Sequence, residues 1–190
     1  MALLMLLSGC GSSGSAGSAE RLGTPAASVP TGNGVIPSGG SGAESVVPTD
    51  GPEGAVGDTV LSTYQHWWDA KVEAYGRSDS DGAQLGAYSS GQALSDSVAG
   101  LHQLHEANLV MVGAPRTSPV VKNLDLRADP QTAVVEDCLD VSEWHQADPA
   151  THALEDPAQR LSRYVSTTKL RKSSAGWLIV ETSREVGRTC

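Results

Sequence analysis

The sequence predicts an α+β fold, with helices packed on one face of a curved antiparallel sheet. Within 58–190, apolar residues first recur at intervals of three and four, and later alternate with polar residues between turns. Helical segments followed by a run of strands are typical of this class. The segment 58–190 spans about 130 residues, which is the size of one ordinary domain.

Three helices are predicted at the start of this domain. The first begins near Asp58 and ends at about Tyr75, because Gly76 follows the last residue of its apolar stripe. A short second helix is predicted over 82–87 and a third over 90–107. One face of the third helix is predicted to comprise Leu94, Val98, Leu101 and His105.

An antiparallel meander is predicted after the helices. Its strands are expected at 109–112, 119–128, 131–144, 160–172 and 177–184. Asp129 and Pro130 mark a turn, and a loop rich in Asp, Ala and Pro is predicted over 145–157. In the second strand, alternation places four residues on one side: Val120, Lys122, Leu124 and Leu126.

The N-terminus carries a predicted localisation signal. The tetrapeptide Leu7-Ser8-Gly9-Cys10 follows a short apolar run and resembles the bacterial lipobox. The resemblance implies a diacylglyceryl thioether on Cys10 and attachment to the extracytoplasmic face of the cell membrane. Residues 1–9 contain no Lys or Arg, although export signals open with basic residues. We interpret 1–9 as the end of a longer signal peptide with a start codon further upstream; a chance apolar terminus is the alternative.

The segment 10–57 is predicted to be a disordered linker. It is rich in Gly, Ser, Pro, Ala and Thr, and this composition cannot bury enough apolar surface to offset its ordering entropy. A flexible chain of this length has a root-mean-square reach of about 35–40 Å. No spanning helix is expected, because one needs about 20 apolar residues. The membrane contact predicted for this protein is therefore the lipid at Cys10.

Two cysteines remain in the predicted domain, Cys138 and Cys190. In an exported protein, such a pair is typical of a disulfide. The bond would close a loop of about 50 residues and contribute about 3–4 kcal/mol to stability. The sequence contains no Cys-x-x-Cys or other recognised metal-ligand spacing.

Two segments carry a family resemblance. The phrases TAVVEDCLDVSEW and KLRKSSAGWLIVETSREVGRTC resemble those of small secreted lipoproteins of high-GC Gram-positive bacteria. The order of elements resembles the NTF2-like, cystatin-like cone fold. This resemblance implies a cone-shaped sheet over 58–190, preceded by the linker. It does not imply one activity, because the fold hosts enzymes, binding proteins and scaffolds.

Asp137 is the candidate catalytic residue. Alternation places it on the same face as Ala133, Val135, Leu139 and Val141, where burial raises the pKa of a carboxyl group as a general base requires. Proteins that resemble this fold place an Asp inside the cone. Three structural alternatives remain open: a bulge turns Asp137 outward, an Arg pairs with it, or a buried Tyr or Trp bonds it.

Other residues offer weaker candidates. An apolar ligand cavity is predicted for Tyr64, Trp68, Tyr88 and Trp144, with ordinary core packing as the alternative. The histidines occur in pairs, His102 with His105 and His145 with His152, and neither pair has a third ligand at a recognised zinc spacing. We expect no metal and no cofactor.

The charge is acidic overall but uneven. The formal net charge is −9, with 22 acidic and 13 basic residues, so a nucleic-acid partner is not expected. Basic residues concentrate after Arg160, where they contact either anionic lipid or cell-wall polymer, or pair with the acidic strand beside them.

The sequence favours a lipid-anchored extracytoplasmic protein whose domain is a non-catalytic binding or interaction module. Its ligand is unspecified: a protein, a cell-wall polymer or a small molecule. One alternative is a cone-cavity enzyme or small-molecule carrier that uses Asp137. Another is an accessory domain that contacts the cell wall or a membrane complex.

Overall fold

A computed structural model describes residues 50–79 and 84–190 and confirms an α+β fold. The predicted signal peptide, Cys10 and almost all of the linker lie outside the described residues. The helices are α1 (Gly51–Arg77), α2 (Leu85–Tyr88) and α3 (Gly91–Glu106). The strands are β1 (Val110–Gly113), β2 (Pro119–Asp125), β3 (Thr132–Asp140), β4 (Trp144–Ala147), β5 (Arg163–Lys172) and β6 (Trp177–Arg184).

The strands form two antiparallel sheets. The larger sheet has the order β2-β3-β5-β6, and the smaller pairs β1 with β4. In the larger sheet, Asp137 lies opposite Pro119 on β2 and Ser166 on β5. In the smaller sheet, Met111 lies opposite Gln146, so their side chains share one face.

The first helix begins earlier than the sequence predicted. It starts at Gly51, with Asp50 in the extended conformation at the N-cap and a proline in the first turn. Residues 51–57, predicted as the end of the linker, are therefore helical, and Gly54 and Gly57 are buried. The Gly-rich composition concealed this start, because glycine lowers helix propensity. The second predicted helix, 82–87, is observed as the single turn α2.

The buried face of α3 also differs from the prediction. Its buried residues are Ala93, Ser97, Leu101 and Leu104. Val98 is 42% exposed and His105 is exposed, whereas Leu94 is partly buried. Tyr75 of α1 approaches α3 closely: its hydroxyl donates to the Ser97 carbonyl at 2.9 Å, and a Cβ at Gly100 would lie only 2.5 Å from the same hydroxyl. The inward face of α3 therefore combines two leucines with two small residues, which the apolar pattern alone does not identify.

The predicted strand 131–144 is divided between the two sheets. β3 ends at Asp140, and β4 begins at Trp144 as part of the smaller sheet. The Asp140 carboxylate accepts the Ser142 N–H at 2.9 Å, and the Trp144 N–H bonds the Val141 carbonyl at 3.1 Å. These bonds form a turn whose residues retain the apolar alternation of a strand. The predicted loop 145–157 consequently begins inside β4.

A bulge changes the inward face of β2. The register with β3 shifts between Val121 and Asn123, so that Val121 and Leu124 both pack against the core. Val120, predicted to share a face with Leu124, is instead 57% exposed. An extra residue in one strand reverses the alternation beyond it, which a strict period of two does not anticipate.

The main core lies between α1 and the larger sheet. Val60, Tyr64 and Trp67 on α1 are almost fully buried, as are Val135 and Leu139 on β3. Three aromatic pairs on Trp68 and its neighbours meet edge to face, among them Trp67 and Trp68 with ring centroids 4.9 Å apart. Within 50–79 and 84–190, no helix is both long and apolar enough to cross a membrane.

Candidate functional site

Asp137 lies in the core, on the face that the alternation of β3 predicted. It is 1% exposed, and its neighbours Ala133, Val135 and Leu139 on the same face are equally buried. The Tyr64 hydroxyl donates to one carboxylate oxygen at 2.8 Å, and the Ser118 N–H donates to the other at 2.6 Å. The structure therefore matches the third alternative from the sequence, a bond to a buried tyrosine.

Burial and hydrogen bonding shift the pKa of Asp137 in opposite directions. Burial raises the pKa of this carboxyl group, while the bonds from Ser118 and Tyr64 lower it; the net pKa is raised. Burial and the adjacent carboxylate also raise the pKa of the Tyr64 hydroxyl, which stays protonated and donates. Asp137 lines none of the three cavities described below. Its observed role is to connect α1, β3 and the start of β2.

The four aromatic residues predicted to line one cavity are separated in the structure. Tyr64 is completely buried, and Tyr88 is partly buried against the His66 ring at 5.4 Å. Trp68 borders a cavity of about 330 Å³ beside Ala114 and Pro115. Trp144 lines a different and larger one, and its ring stacks on Tyr75 at 5.7 Å.

The larger cavity lies between β4, the segment leading into β5, and the end of β6. Its volume is about 550 Å³, and we call it the β4–β6 cavity. Its apolar lining includes Met111, Trp144, Leu161 and Val186, and its polar lining includes Tyr164 and Arg184. A second cavity of about 230 Å³ shares Met111, Trp144 and Gln146 with it.

The rim of the β4–β6 cavity is apolar and open to solvent. Leu161 is 53% exposed and Val186 is 89% exposed. A single exposed apolar side chain is common on protein surfaces and needs no explanation. Two of them beside one cavity form a surface suited to a ligand. Neither residue was predicted as a site residue, because Leu161 lies at the start of the predicted strand 160–172 and Val186 lies beyond the last predicted strand.

A polar clamp of His145, Asp156 and Arg160 lies beside the cavity. Asp156 accepts bonds from the Gln146 N–H at 2.9 Å and from Arg160 at 2.7 Å, and its second oxygen lies 2.5 Å from His145 Nδ1. Arg160 also donates to the carbonyls of Trp144, at 2.9 Å, and Val141. These bonds attach the segment before β5 to β4.

The clamp affects the ionisation of Asp156. Burial raises the pKa of its carboxyl group, but the bonds from His145, Gln146 and Arg160 outweigh burial and lower it below the usual value. Asp156 and Arg160 are four residues apart, but the sequence predicts Asp156 in a loop and Arg160 at the start of a strand, so this spacing does not predict a pair. The sequence offers His145 only as a candidate metal ligand, so it does not predict the bonds that join His145, Asp156 and Arg160.

The predicted disulfide is present between Cys138 and Cys190. Their Cα atoms are 5.8 Å apart, within the range that a disulfide spans. The bond attaches the C-terminus to the outer face of β3, where Arg188 also pairs with Glu136 at 2.8 Å. The segment after β6, which contains Val186, is consequently fixed beside the cavity.

Two basic residues near the C-terminus pair with the adjacent acidic strand β3, as one alternative from the sequence proposed: Arg188 with Glu136 at 2.8 Å and Arg163 with Asp140 at 3.8 Å. Lys169 pairs with Glu181 at 2.9 Å, and Arg188 with Glu185 at 2.6 Å. The histidines give no metal centre: within the described ranges, no three His, Cys, Asp or Glu residues are arranged to hold an ion. His102 lies 3.5 Å from Glu106 on the exposed face of α3.

A comparison with solved structures finds a similar fold in a crystal structure, that of the intermembrane-space region of the chloroplast protein ARC6. The two chains are 22% identical, the match covers 67% of this chain and 95% of that chain, and the TM-score is 0.50. No protein-family model and no curated protein matches the chain. The likeness to ARC6 shows a shared fold and carries no activity or ligand to this chain.

Proposed function

We propose that this chain is a lipid-anchored extracytoplasmic protein whose NTF2-like domain is a non-catalytic binding module. The lipobox resemblance at Cys10 supports the extracytoplasmic, lipid-anchored location. Helices preceding a four-stranded antiparallel sheet support the fold. The binding site in this proposal is the β4–β6 cavity.

The observation that carries the proposal is the apolar rim around this cavity. A volume of about 550 Å³ is typical of small-molecule sites. Leu161 and Val186 are left exposed at its edge, although the core of the same domain buries comparable side chains. Apolar groups at an open cavity favour occupation by an apolar partner, because binding removes them from water.

Asp137 gives the enzyme or carrier alternative less support. Its carboxylate is occupied by Tyr64 and Ser118 and does not line the cavity. The accessory-domain alternative relies on the basic C-terminal hairpin, in which Lys169 and Arg188 already pair with acidic side chains of the described residues whereas Arg184 does not. The binding module therefore accounts for more of the structure than either alternative.

The binding function is tested with Nile red, a neutral apolar dye. The domain is expected to bind it with increased fluorescence, and Leu161→Ser or Val186→Ser to weaken binding about tenfold, because each removes apolar contact area. Val120→Ser is the matched control, since Val120 is equally apolar, is 57% exposed and is not among the residues that line the cavity. Equal weakening by all three variants, or no dye binding, refutes the proposal.

The anchor is tested separately by labelling cells with an alkyne analogue of palmitate. The chain, expressed with a complete export signal, is expected to take up the label, and Cys10→Ala to lose it. A Cys138→Ala, Cys190→Ala double variant controls for nonspecific thiol labelling and should keep the label. Persistent labelling of Cys10→Ala contradicts lipidation at this residue.

A further inference from the structure

We infer that the β4–β6 cavity selects an amphipathic anion, an aliphatic chain ending in a carboxylate. The carboxylate lies at Arg184 and Tyr164, and the chain lies against Met111, Trp144 and Leu161. This inference rests on the proposed binding function and specifies the chemical class of its ligand.

Arg184 supplies a cation that the protein itself leaves available. It is the last residue of β6 and lines the cavity. Within the part of the chain that the structure describes, its guanidinium has no acidic partner, in contrast to Lys169 and Arg188. A guanidinium binds a carboxylate through two parallel hydrogen bonds, which gives both strength and orientation.

Tyr164 places a hydrogen-bond donor beside Arg184. Ser166 lies opposite Arg184 in the β5–β6 ladder, and Tyr164 is two residues away on the same face of β5. Burial raises the pKa of the Tyr164 hydroxyl more than the nearby Arg184 charge lowers it, so the hydroxyl remains protonated at neutral pH. No protein group in the described residues accepts its hydrogen bond. A ligand oxygen fills this position.

The single acidic group in the cavity lining does not oppose an anion. Asp156 is neutralised by the Arg160 guanidinium at 2.7 Å and lies 2.5 Å from His145. The lining therefore holds two arginines against one carboxylate and is positive overall. Electrostatic complementarity then favours one negative charge and rejects a positive one.

The remaining lining suits an aliphatic chain. Met111 and Trp144 border both the β4–β6 cavity and the neighbouring cavity of about 230 Å³, which extends to Leu104 and Leu109. A linear chain can follow this apolar wall, while its polar end stays at Arg184. A compact polar anion such as phosphate has no group that would contact this wall.

Three eight-carbon probes test the inference by titration calorimetry: octanoate, octanol and octylamine. Octanoate is expected to bind about tenfold more tightly than octanol, because its carboxylate accepts charge-assisted hydrogen bonds from Arg184 that a hydroxyl cannot match. Octylamine is expected to bind most weakly. Arg184→Gln should reduce octanoate affinity to that of octanol and leave octanol affinity unchanged.

Arg171→Gln is the matched control. Arg171 is exposed on β5 and lies outside the cavity lining, so its removal should leave the octanoate preference intact. Equal affinities for octanoate and octanol overturn the inference, as does equal loss in both arginine variants. Binding of none of the probes also overturns it, and the Nile red experiment then shows whether the proposed function remains.

Discussion

The bond between Tyr64 and Asp137 satisfies a carboxylate that the fold buries. A carboxylate on an apolar face suggested a catalytic base, but the same position is stable when a hydroxyl and a backbone N–H donate to its oxygens. The sequence could locate Asp137 on the inner face of β3, since that depends only on alternation. It could not show the partner, which comes from α1, 73 residues earlier.

Tyr64→Phe is expected to lower the free energy of unfolding by about 1–3 kcal/mol, because it leaves a buried carboxylate oxygen without its donor. The pKa of Asp137, already raised, should rise further. The folded state of the variant then binds the Asp137 proton more tightly than the unfolded state does. The stability lost in Tyr64→Phe is therefore partly regained as the pH falls through the folded pKa of Asp137.

Urea denaturation at several pH values measures this effect. Tyr88→Phe is the matched control, because the hydroxyl of Tyr88 makes no hydrogen bond in the described structure. Equal losses in the two variants would show that the Tyr64 hydroxyl contributes nothing specific.

Lys71 is a second unusual side chain within α1. Its ammonium lies 4.8, 5.1 and 5.3 Å from the ring centroids of Trp67, Trp68 and Tyr75. Burial lowers the pKa of Lys71 to about 8, against a small opposing effect of Asp96. The aromatic faces stabilise the charged form and offset part of the cost of burying it.

The ionisation of Lys71 is expected to make the protein more stable as the pH rises from about 8 to about 10.5. The folded pKa of Lys71 is below that of the unfolded chain, so the unfolded state binds more protons in this window. Lys71→Met should remove the slope and stabilise the protein at pH 7 by about 2 kcal/mol. Thermal unfolding as a function of pH measures both effects, and an unchanged slope in Lys71→Met contradicts the assignment.

At the scale of elements, the sequence predicted the order and type of most segments but not their assignment to sheets. β6 was predicted with its observed bounds, because Trp177 follows a clear turn and the alternation is regular. The prediction of one continuous strand over 131–144 was wrong, because the turn at 141–143 contains neither Gly nor Pro to indicate it. Its bonds are made by Asp140, and tertiary context decides whether such a carboxylate forms a turn.

The cavity could not be predicted for a related reason. Its lining combines β1, β4, β5, β6 and the segment between β4 and β5, and their meeting depends on the two-sheet topology. Trp144 was the predicted pocket residue that lines it. The clamp of His145, Asp156 and Arg160 then determines where the segment before β5 lies.

Asp156→Asn is expected to destabilise the domain by about 1–3 kcal/mol, since the Arg160 guanidinium loses its charged acceptor. The Nile red affinity should also fall, because Leu161 on the adjoining segment loses its position. The pKa of Asp156 is lowered in the folded state, so its contribution is present above the unfolded value and is lost as the pH falls through the folded pKa.

Amide hydrogen exchange at Gln146, whose N–H bonds Asp156, reports the loosened clamp directly. Asp148→Asn provides the control: Asp148 belongs to the same segment but accepts bonds only from neighbours such as Ala150 and Thr151. Exchange at Gln146 that is as fast in Asp148→Asn as in Asp156→Asn would contradict a specific clamp.

For the whole molecule, the bond between Cys138 and Cys190 is the main covalent constraint on the described domain. The cysteine count, together with the expected export, was sufficient to predict it. The packing of α1 against the sheet was predictable as a layer but not in its details, because the extra residues at the helix start are Gly-rich. Composition thus determined the broad architecture, while local contacts determined the boundaries.

The Cys138→Ser, Cys190→Ser variant is expected to lose about 2–4 kcal/mol of stability, because the unfolded chain regains the freedom of a loop of 52 residues. Denaturation with and without a reductant measures this loss. The reductant should destabilise the parent protein and leave the double variant unchanged. Intact mass that does not increase by two hydrogens on reduction would contradict the bond.

The position of this disulfide also relates the oxidation state of Cys138 and Cys190 to ligand binding in the β4–β6 cavity. It fixes the end of the chain that follows Arg184 and carries Val186, and both residues line the cavity. A coupling free energy between two sites acts equally in both directions. If the cavity binds a ligand as proposed, and binding needs this segment in place, the ligand also stabilises the oxidised form and reduction lowers ligand affinity by the same factor.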